Sequence, residues 1–131
     1  MSKTLKQGHE SEFLDRYVFA PGETILREGS DGYCAYVIAA GSVEVVKKVG
    51  EGETVLGTLG KGAIFGEMAL IDDAPHMATV RAVDWTVAIT IRGDTFRKKI
   101  AEADPFIAKL LRILVGHARS ATAQLVEDDI S

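Results

Sequence analysis

The alternation of apolar and polar positions divides the chain into a strand-rich first part and a helical second part. In Ser42–Val46, Val43 and Val45 alternate with Ser42 and Glu44, a period of two that is typical of a strand with one solvated face. The chain has 13 glycines, and ten of them lie between positions 22 and 66. Such a density indicates tight turns between short strands.

The same pattern predicts where the individual strands lie. Ala40-Gly41 reads as a tight hairpin between two arms rich in β-branched residues. Trp85 begins a later strand, where we expect it to pack in the core. A short helix is predicted over Ser11–Tyr17, because Phe13, Leu14 and Tyr17 recur at helical spacing. The predicted strands are 24–26, 34–39, 42–47, 54–59 and, after an interruption, 79–91.

Two helices are predicted at the end of the chain. Asp94 caps a helix that runs to about Ala103, and Asp104-Pro105 provides an N-cap and a first-turn proline for the last helix. A broad apolar face usually contacts more than one surface. The last helix has such a face, made of Ile107, Leu110, Leu114, Ala118, Ala121 and Leu125 and broadened by Phe106, Ile113 and His117.

Composition and charge narrow the class of protein. The 131 residues are 47% hydrophobic and 26% charged, which fits one soluble domain over residues 1–131. Lys and Arg number 15 against 19 Asp and Glu, and this net charge of -4 argues against a nucleic-acid partner. No apolar stretch approaches the roughly 20 residues needed to cross a membrane. The N-terminus is polar, and the chain has one cysteine, Cys34, which we expect to be a buried inert thiol. Because the N-terminus lacks the apolar core of a signal peptide and one cysteine cannot form an internal disulfide, we expect a cytoplasmic protein.

The interruption of the strand pattern, Phe65–Pro75, carries the candidate chemistry. Gly66 precedes one turn of helix, whose first backbone N–H groups can hold an anion. Glu67 beside them can accept a hydrogen bond from a sugar hydroxyl, so the pair suits a ribose phosphate. The alternative is that the segment caps one end of a β-barrel, with Leu70 and Ile71 in the core and Glu67 solvated.

The run FGEMALIDDAP, preceded by PGETILREG, YVIAAGSVEVV and LGTLGKGAIFGE, resembles the cyclic-nucleotide-binding domain family over nearly the whole chain. The resemblance implies a mainly β fold, an eight-stranded jelly-roll β-barrel (double-stranded β-helix) with flanking helices. We expect the barrel at about 18–91 and the C-terminal helices at about 94–127. It also implies cAMP or cGMP as ligand, held in a phosphate-binding cassette.

The resemblance assigns roles to cassette residues. Gly66, Met68 and Ala69 are expected to offer backbone contacts to the ligand, and Glu67 to bind the ribose hydroxyl. In ligand-binding relatives an arginine directly after the proline pairs with the cyclic phosphate. The helix that begins near Asp104 is expected to move as a lid.

This chain departs from the family at that arginine, where it has His76 followed by Met77. Arginine carries a permanent charge and a planar fork, whereas histidine offers one donor to a given oxygen and is mostly neutral near pH 7. Losing a charged hydrogen bond should weaken binding about tenfold to a few hundredfold. If protonated His76 binds the phosphate, the affinity for the nucleotide should rise as the pH falls. The alternative interpretation is that His76 is a surface-loop residue without a role in binding.

Nearby charges do not restore the missing cation. Arg81 is five positions further on, roughly 17 Å away along an extended strand. The carboxylates of Asp72 and Asp73 would disfavour a phosphate. Arg97-Lys98-Lys99 is expected to be a solvated helix face, since acidic residues flank it.

These observations predict a non-catalytic regulatory or sensor domain that binds cAMP or cGMP, or another small anion, weakly. The alternative is a ligand-free interaction or oligomerisation module in which the Pro105–Leu125 helix docks a partner or a second copy. A DNA-binding regulator would need a further domain, and few residues follow Glu127. Histidines 9, 76 and 117 are too scattered for a metal site, and no cofactor is expected.

Overall fold

The computed structural model describes the backbone of residues 3–5 and 14–130 and the side chains of 15–121. The described part of the chain contains short strands, interrupted by one short helix and followed by two longer helices. The strands are β1 (Lys3–Leu5), β2 (Leu14–Phe19), β3 (Thr24–Leu26), β4 (Cys34–Ala40), β5 (Ser42–Val49), β6 (Gly52–Gly60), β7 (Ile64–Phe65), β8 (Thr79–Ala82) and β9 (Thr86–Arg92). The helices are α1 (Glu67–Asp72), α2 (Gly93–Glu102) and α3 (Pro105–Ile130).

The strands form two antiparallel sheets. One has five strands in the order β1-β2-β9-β4-β7, and the other has four in the order β3-β8-β5-β6. The mainly β class with C-terminal helices is therefore confirmed. Within the described residues the sheets remain separate and do not close into one barrel.

The predicted hairpin at Ala40-Gly41 is wrong, because its two arms belong to different sheets. β4 pairs with β7 and β9, whereas β5 pairs with β6 and β8. The chain crosses between the sheets at Gly41, whose φ is +96°. A Cβ there would lie 2.3 Å from the carbonyl oxygen of Trp85, so both the backbone conformation and the available space require glycine.

Trp85 was expected in the core, and this is also wrong. Its side chain is 67% exposed because it lies in the turn between β8 and β9, one residue before β9 begins at Thr86. The backbone of this turn is held instead by Ser42, whose carbonyl accepts a hydrogen bond from the Val83 N–H at 2.9 Å.

The helix predicted over Ser11–Tyr17 is wrong where it can be compared. Residues 14–17 belong to β2, which pairs with β9 on one side and β1 on the other. The two neighbouring strands provide hydrogen-bond partners for the backbone of β2. This tertiary pairing outweighs the helical spacing of apolar residues in the local sequence. Positions 11–13 lie outside the described residues.

The core lies between the two sheets. Ile38 and Val43 are almost fully buried there, and Tyr36 stacks on Phe65 with 5.0 Å between ring centroids. Tyr36 also meets Phe19 edge to face at 6.5 Å. These aromatic contacts connect the main cluster with a smaller one around Phe19, Ala82 and Ala88.

The last helix packs through a different face from the one expected. Ala108 and Val115 of α3 are buried, and the helix contacts α1, α2 and β5. The large residues of the predicted stripe point to solvent: Phe106, Ile107, Leu110, Ile113 and Leu114 are 40–69% exposed. Asp104 does cap the helix, since its carboxylate accepts the Phe106 N–H at 2.8 Å.

Capping of α2 differs from the prediction. The N-cap is Arg92, and the Asp94 carboxylate bonds the N–H of its neighbour Thr95 at 2.7 Å. None of the helices in the described part of the chain is long and apolar enough to span a bilayer.

Candidate functional site

The cassette helix α1 begins and ends at backbone positions in the left-handed region. Gly66 precedes it with φ +84°, and Asp73 follows it with φ +56°. Gly66 lies against β4: a Cβ there would be 3.2 Å from the carbonyl oxygen of Cys34. Ala69 and Leu70 are buried, and a Cβ at Gly32 would lie 2.7 Å from that of Ala69. The helix is therefore packed closely against β4 and the loop that precedes it.

A cavity of about 330 Å³ opens between the cassette and the four-stranded sheet. Its wall is mostly apolar, with Val45 of β5 and Leu56 and Leu59 of β6 on one side. The cassette contributes Gly66, Glu67, Met68, Met77 and Ala78 on the other. Four of the six predicted binding residues, Gly66, Glu67, Met68 and Met77, thus line one cavity.

Glu67 is the ionisable side chain that lines this cavity. Its Oε2 is buried and has no hydrogen-bond partner among the described residues. Burial raises the pKa of the carboxyl, and a bond from its own backbone N–H lowers that pKa by less. Glu67 is thus half-buried and not fully solvated. Leu70 lies in the core as the alternative expects, and Ile71 is half-buried.

The other two predicted binding residues lie elsewhere. Ala69 is buried on the side of α1 that packs against Gly32. His76 lines a neighbouring cavity of about 250 Å³ together with Arg27, Asp31 and Tyr33. Because His76 is only 9% exposed, the surface-loop interpretation of this residue is wrong.

The backbone of His76 is fixed from both sides. Its N–H donates to the Ser30 carbonyl at 2.9 Å, and its carbonyl accepts the Gly29 N–H at 2.8 Å. Burial lowers the pKa of its imidazole, the charge of Arg119 lowers it further, and Asp31 partly opposes both. The ring is thus held in its neutral form at physiological pH.

The carboxylates of the cassette are paired with arginines from the C-terminal helices. Arg119 of α3 donates to Asp72 through Nε at 2.6 Å and through Nη2 at 3.1 Å. The Nε of Arg97 in α2 lies 3.1 Å from Oδ1 of Asp73, and its Nη2 donates to the Gly32 carbonyl at 3.3 Å. The Asp73 contact is a charge contact, since the Arg97 Nε–H is not aligned as a hydrogen bond. Only part of the basic cluster is thus a solvated face.

The Asp72–Arg119 pair lowers the pKa of Asp72 despite partial burial of the carboxyl. No local sequence pattern indicates this pair, because 47 positions separate the two residues. The signal that could have revealed it is the spacing of Ala108, Val115 and Arg119, which lie along one side of α3.

Two other cations near the cassette are engaged with glutamates. Lys47 donates to Glu28 at 3.0 Å and to the carbonyl of Met77 at 2.6 Å, so it holds the end of the cassette to β5. Arg81 bonds Glu44 and Glu53, each at 3.1 Å, which agrees with its being a poor substitute for a phosphate ligand.

Side chains able to bind a metal do not converge: the described residues contain no group of three or more His, Cys, Asp or Glu side chains that could hold an ion. Cys34 is half-buried, and burial raises the pKa of its thiol. This agrees with an unreactive thiol.

Residues 16–103 match the family described as "Cyclic nucleotide-binding domain". The chain belongs to this family. A cAMP-dependent protein kinase regulatory subunit of Debaryomyces hansenii is 36% identical over 93 residues, covering 71% of this chain and 20% of the relative. A CRP-like cAMP-activated global transcriptional regulator of Mycobacterium tuberculosis is 27% identical over 110 residues, covering 83% of this chain and 49% of the relative.

Among solved structures, the cAMP-bound form of the EAL enzyme Bd1971 superposes with a TM-score of 0.79 at 31% identity. The match covers 88% of this chain and 31% of that one. The cGMP-bound form of the same enzyme gives 0.75 at 33% identity over 79% and 28%. The chain spans only a fifth to a half of the curated relatives described above.

Proposed function

We propose that this domain is a non-catalytic regulatory domain that binds cAMP or cGMP in the cassette cavity and passes ligand occupancy on to α3. The observation that carries the proposal is Glu67, a residue that lines the cavity and whose buried Oε2 has no hydrogen-bond partner in the described residues. Leaving a buried acceptor unpaired costs about 1–3 kcal/mol. A ribose hydroxyl would remove that cost by donating to it.

The rest of the cavity supports the same ligand class. A volume of about 330 Å³ lies within the roughly 300–1,000 Å³ of small-molecule sites. The apolar residues Val45, Leu56 and Leu59 suit a flat base, and Gly66, Met68 and Met77 line the same cavity as Glu67. The family resemblance implies two further contacts, Ala69 and His76, which are close in sequence to residues of this cavity but do not line it. It also implies an eight-stranded jelly-roll, to which the two antiparallel sheets correspond.

The proposed binding is weak, because position 76 has no permanent charge. Burial and Arg119 both lower the pKa of His76, so the rise in affinity on mild acidification that the sequence suggested is opposed by the surroundings of the ring. The ligand's charge therefore has to be met by another group.

Isothermal titration calorimetry tests the proposal with cAMP and cGMP. We expect Glu67→Gln to weaken binding about tenfold, since a neutral amide forms a weaker bond than a carboxylate to a ribose hydroxyl. The matched control is Glu102→Gln on the exposed side of α2, which should bind like the wild type. Undetectable binding of both nucleotides by the wild type and by His76→Arg would rule the proposal out.

The exposed apolar face of α3 favours a second candidate, self-association of the domain through this helix. Phe106, Ile107, Leu110, Ile113 and Leu114 present a continuous surface that this chain does not cover within the described residues. In sedimentation velocity we expect a dimer that Leu114→Glu converts to a monomer. Lys109→Glu, an exposed charge reversal on the same helix, should leave the dimer intact. A monomeric wild type at high micromolar concentration would contradict this candidate.

A further inference from the structure

The cavity that Glu67 lines contains no cationic side chain within the described part of the chain. Its lining side chains are apolar except for the Glu67 carboxyl and the Thr58 hydroxyl. The Oε2 atom of Glu67 is buried and has no partner among the described residues. A cyclic phosphodiester would therefore bring a second negative group to a cavity whose one ionisable lining side chain is already an acid.

The cations that lie near the cassette are engaged elsewhere. Four of them are paired with carboxylates: Lys47 with Glu28, Arg81 with Glu44 and Glu53, Arg97 with Asp73, and Arg119 with Asp72. These four do not line the cavity, and Arg27 and His76 line the neighbouring one instead. Among the described residues, the phosphate of a cyclic nucleotide thus has no charged partner in this cavity.

The backbone of α1 does not replace a cation. This helix has six residues, and Glu67 is the first of them. The N–H of Glu67 bonds its own carboxyl, an interaction that lowers the pKa of that carboxyl. One donor at the start of the helix is thus used by an acid of the protein itself, and a backbone N–H carries no net charge.

An uncharged ligand avoids the unpaired charge and keeps the favourable contacts. Burying an anion without a partner is far more costly than burying a neutral polar group. A nucleoside has the same flat base for the apolar wall of Val45, Leu56 and Leu59. It also has free 2′ and 3′ hydroxyls, whereas the 3′ oxygen of a 3′,5′-cyclic nucleotide is esterified. Because an ionised carboxylate only accepts hydrogen bonds, these two donors suit Glu67.

We propose that the cassette cavity binds an uncharged ribonucleoside, a free purine nucleoside such as adenosine or guanosine, more tightly than the corresponding cyclic nucleotide. The inference rests on the proposed function, since it concerns the same cavity and the same acceptor, Glu67. It goes further by naming the charge state of the preferred ligand. The neutral side chains of the wall then act as a selectivity device against the phosphate.

Isothermal titration calorimetry of the wild type with adenosine, guanosine, cAMP and cGMP tests the preference. We expect the better-bound nucleoside to bind at least about tenfold more tightly than its cyclic phosphate, because the phosphate lacks a charged hydrogen-bond partner. Equal or tighter binding of the cyclic phosphate would overturn this inference and leave the proposed function standing. Binding of nucleosides alone would support the inference and overturn the cyclic nucleotide as ligand. Absence of binding by all four ligands would overturn both.

Removal of the 2′ hydroxyl shows whether the nucleoside uses the carboxylate. The wild type should bind 2′-deoxyadenosine about tenfold more weakly than adenosine, the effect of one lost charged hydrogen bond. In Glu67→Gln this difference should shrink, because a neutral amide forms a weaker bond to the hydroxyl. The same loss in both proteins would place the nucleoside away from Glu67 and overturn the inference.

Met77 allows a cation to be added to the wall of the cavity. It lines the cavity and directly follows position 76, and a lysine has a side chain of similar length. Met77→Lys should raise the affinity for cAMP relative to that for adenosine about tenfold. The matched control Met77→Gln changes the wall for both ligands alike and should keep the wild-type ratio.

The ratio of the two affinities separates charge from shape. An unchanged ratio in Met77→Lys would show that the missing cation does not limit binding of the phosphate, and it would overturn the inference. A shift of the same size in Met77→Gln would do so too, because a neutral side chain would then have the same effect. Thermal unfolding of each variant shows whether it is folded.

Discussion

His76 is a buried imidazole whose neutral form the fold favours. Burial and the charge of Arg119 lower its pKa from an ordinary value of 6.5, and the carboxylate of Asp31 opposes them. The unfolded chain therefore binds a proton at this residue more readily than the folded protein does. The stabilisation is fully present above pH 6.5 and is lost as the pH falls through the lowered pKa.

This linkage predicts the pH dependence of stability. The free energy of unfolding of the wild type should fall between pH 7.5 and pH 5 more steeply than that of His76→Gln, which cannot titrate there. Urea denaturation at several pH values measures both slopes. The control His117→Gln, exposed on α3, should keep the slope of the wild type, and parallel curves for all three proteins would contradict the prediction.

Glu67 predicts a conflict between stability and binding. An unpaired buried carboxylate oxygen destabilises the ligand-free fold, and burial raises the pKa of this carboxyl. Glu67→Gln should therefore raise the free energy of unfolding at pH 7.5 by about 1 kcal/mol, since a neutral amide costs less to bury. Urea denaturation without ligand measures this change, and a loss of stability would show that the carboxylate is satisfied in solution.

The sequence identified some of these residues and missed others for a physical reason. Gly66, Glu67 and His76 lie in one contiguous sequence motif, so the local sequence was enough to predict them as candidate site residues. Arg119 could not be found in this way, because its pairing with Asp72 depends on how α3 is rotated against α1. That rotation is set by the packing of Ala108 and Val115.

At the scale of elements, Gly41 is where the chain passes from one sheet to the other. Gly41→Ala should destabilise the fold by about 3 kcal/mol or more, because strain in the left-handed region adds to a clash with the carbonyl of Trp85. Gly50→Ala is the matched control: its φ is also positive, at +60°, but nothing lies within 4 Å of a Cβ there. It should cost only about 1–2 kcal/mol. Similar losses in urea denaturation of the two variants would contradict this account.

The strand positions were predictable, whereas their partners were not. The strands predicted at 24–26 and 54–59 correspond to β3 and β6. A strand with one buried face has an alternating pattern in its own sequence, so its position can be predicted without knowing its partners. Pairing depends on the other strand. For this reason β4 and β5, adjacent in sequence, read as a hairpin although they lie in different sheets. The spacing of apolar residues in α3 likewise predicted an apolar helix, but not which of its faces packs against the rest of the domain.

At the scale of the whole molecule, α3 is held to the cassette by charge as well as by packing. Asp72→Asn removes the partner of Arg119 and should loosen α3 locally. We expect faster amide hydrogen exchange in α3 and α1, with unchanged protection in β5 and β6, whose ladder is independent of this contact. Unchanged exchange in α3 would show that apolar packing alone holds the helix.

The exposed position of Trp85 has a practical spectroscopic consequence. It is the only tryptophan of the chain, it is 67% exposed, and it lines neither of the two cavities next to the cassette. Its indole is already in water before the protein unfolds, so its emission wavelength should shift little on denaturation or on addition of nucleotide. A useful optical probe would combine Trp85→Phe with Tyr33→Trp, which puts the fluorophore at the cavity of His76.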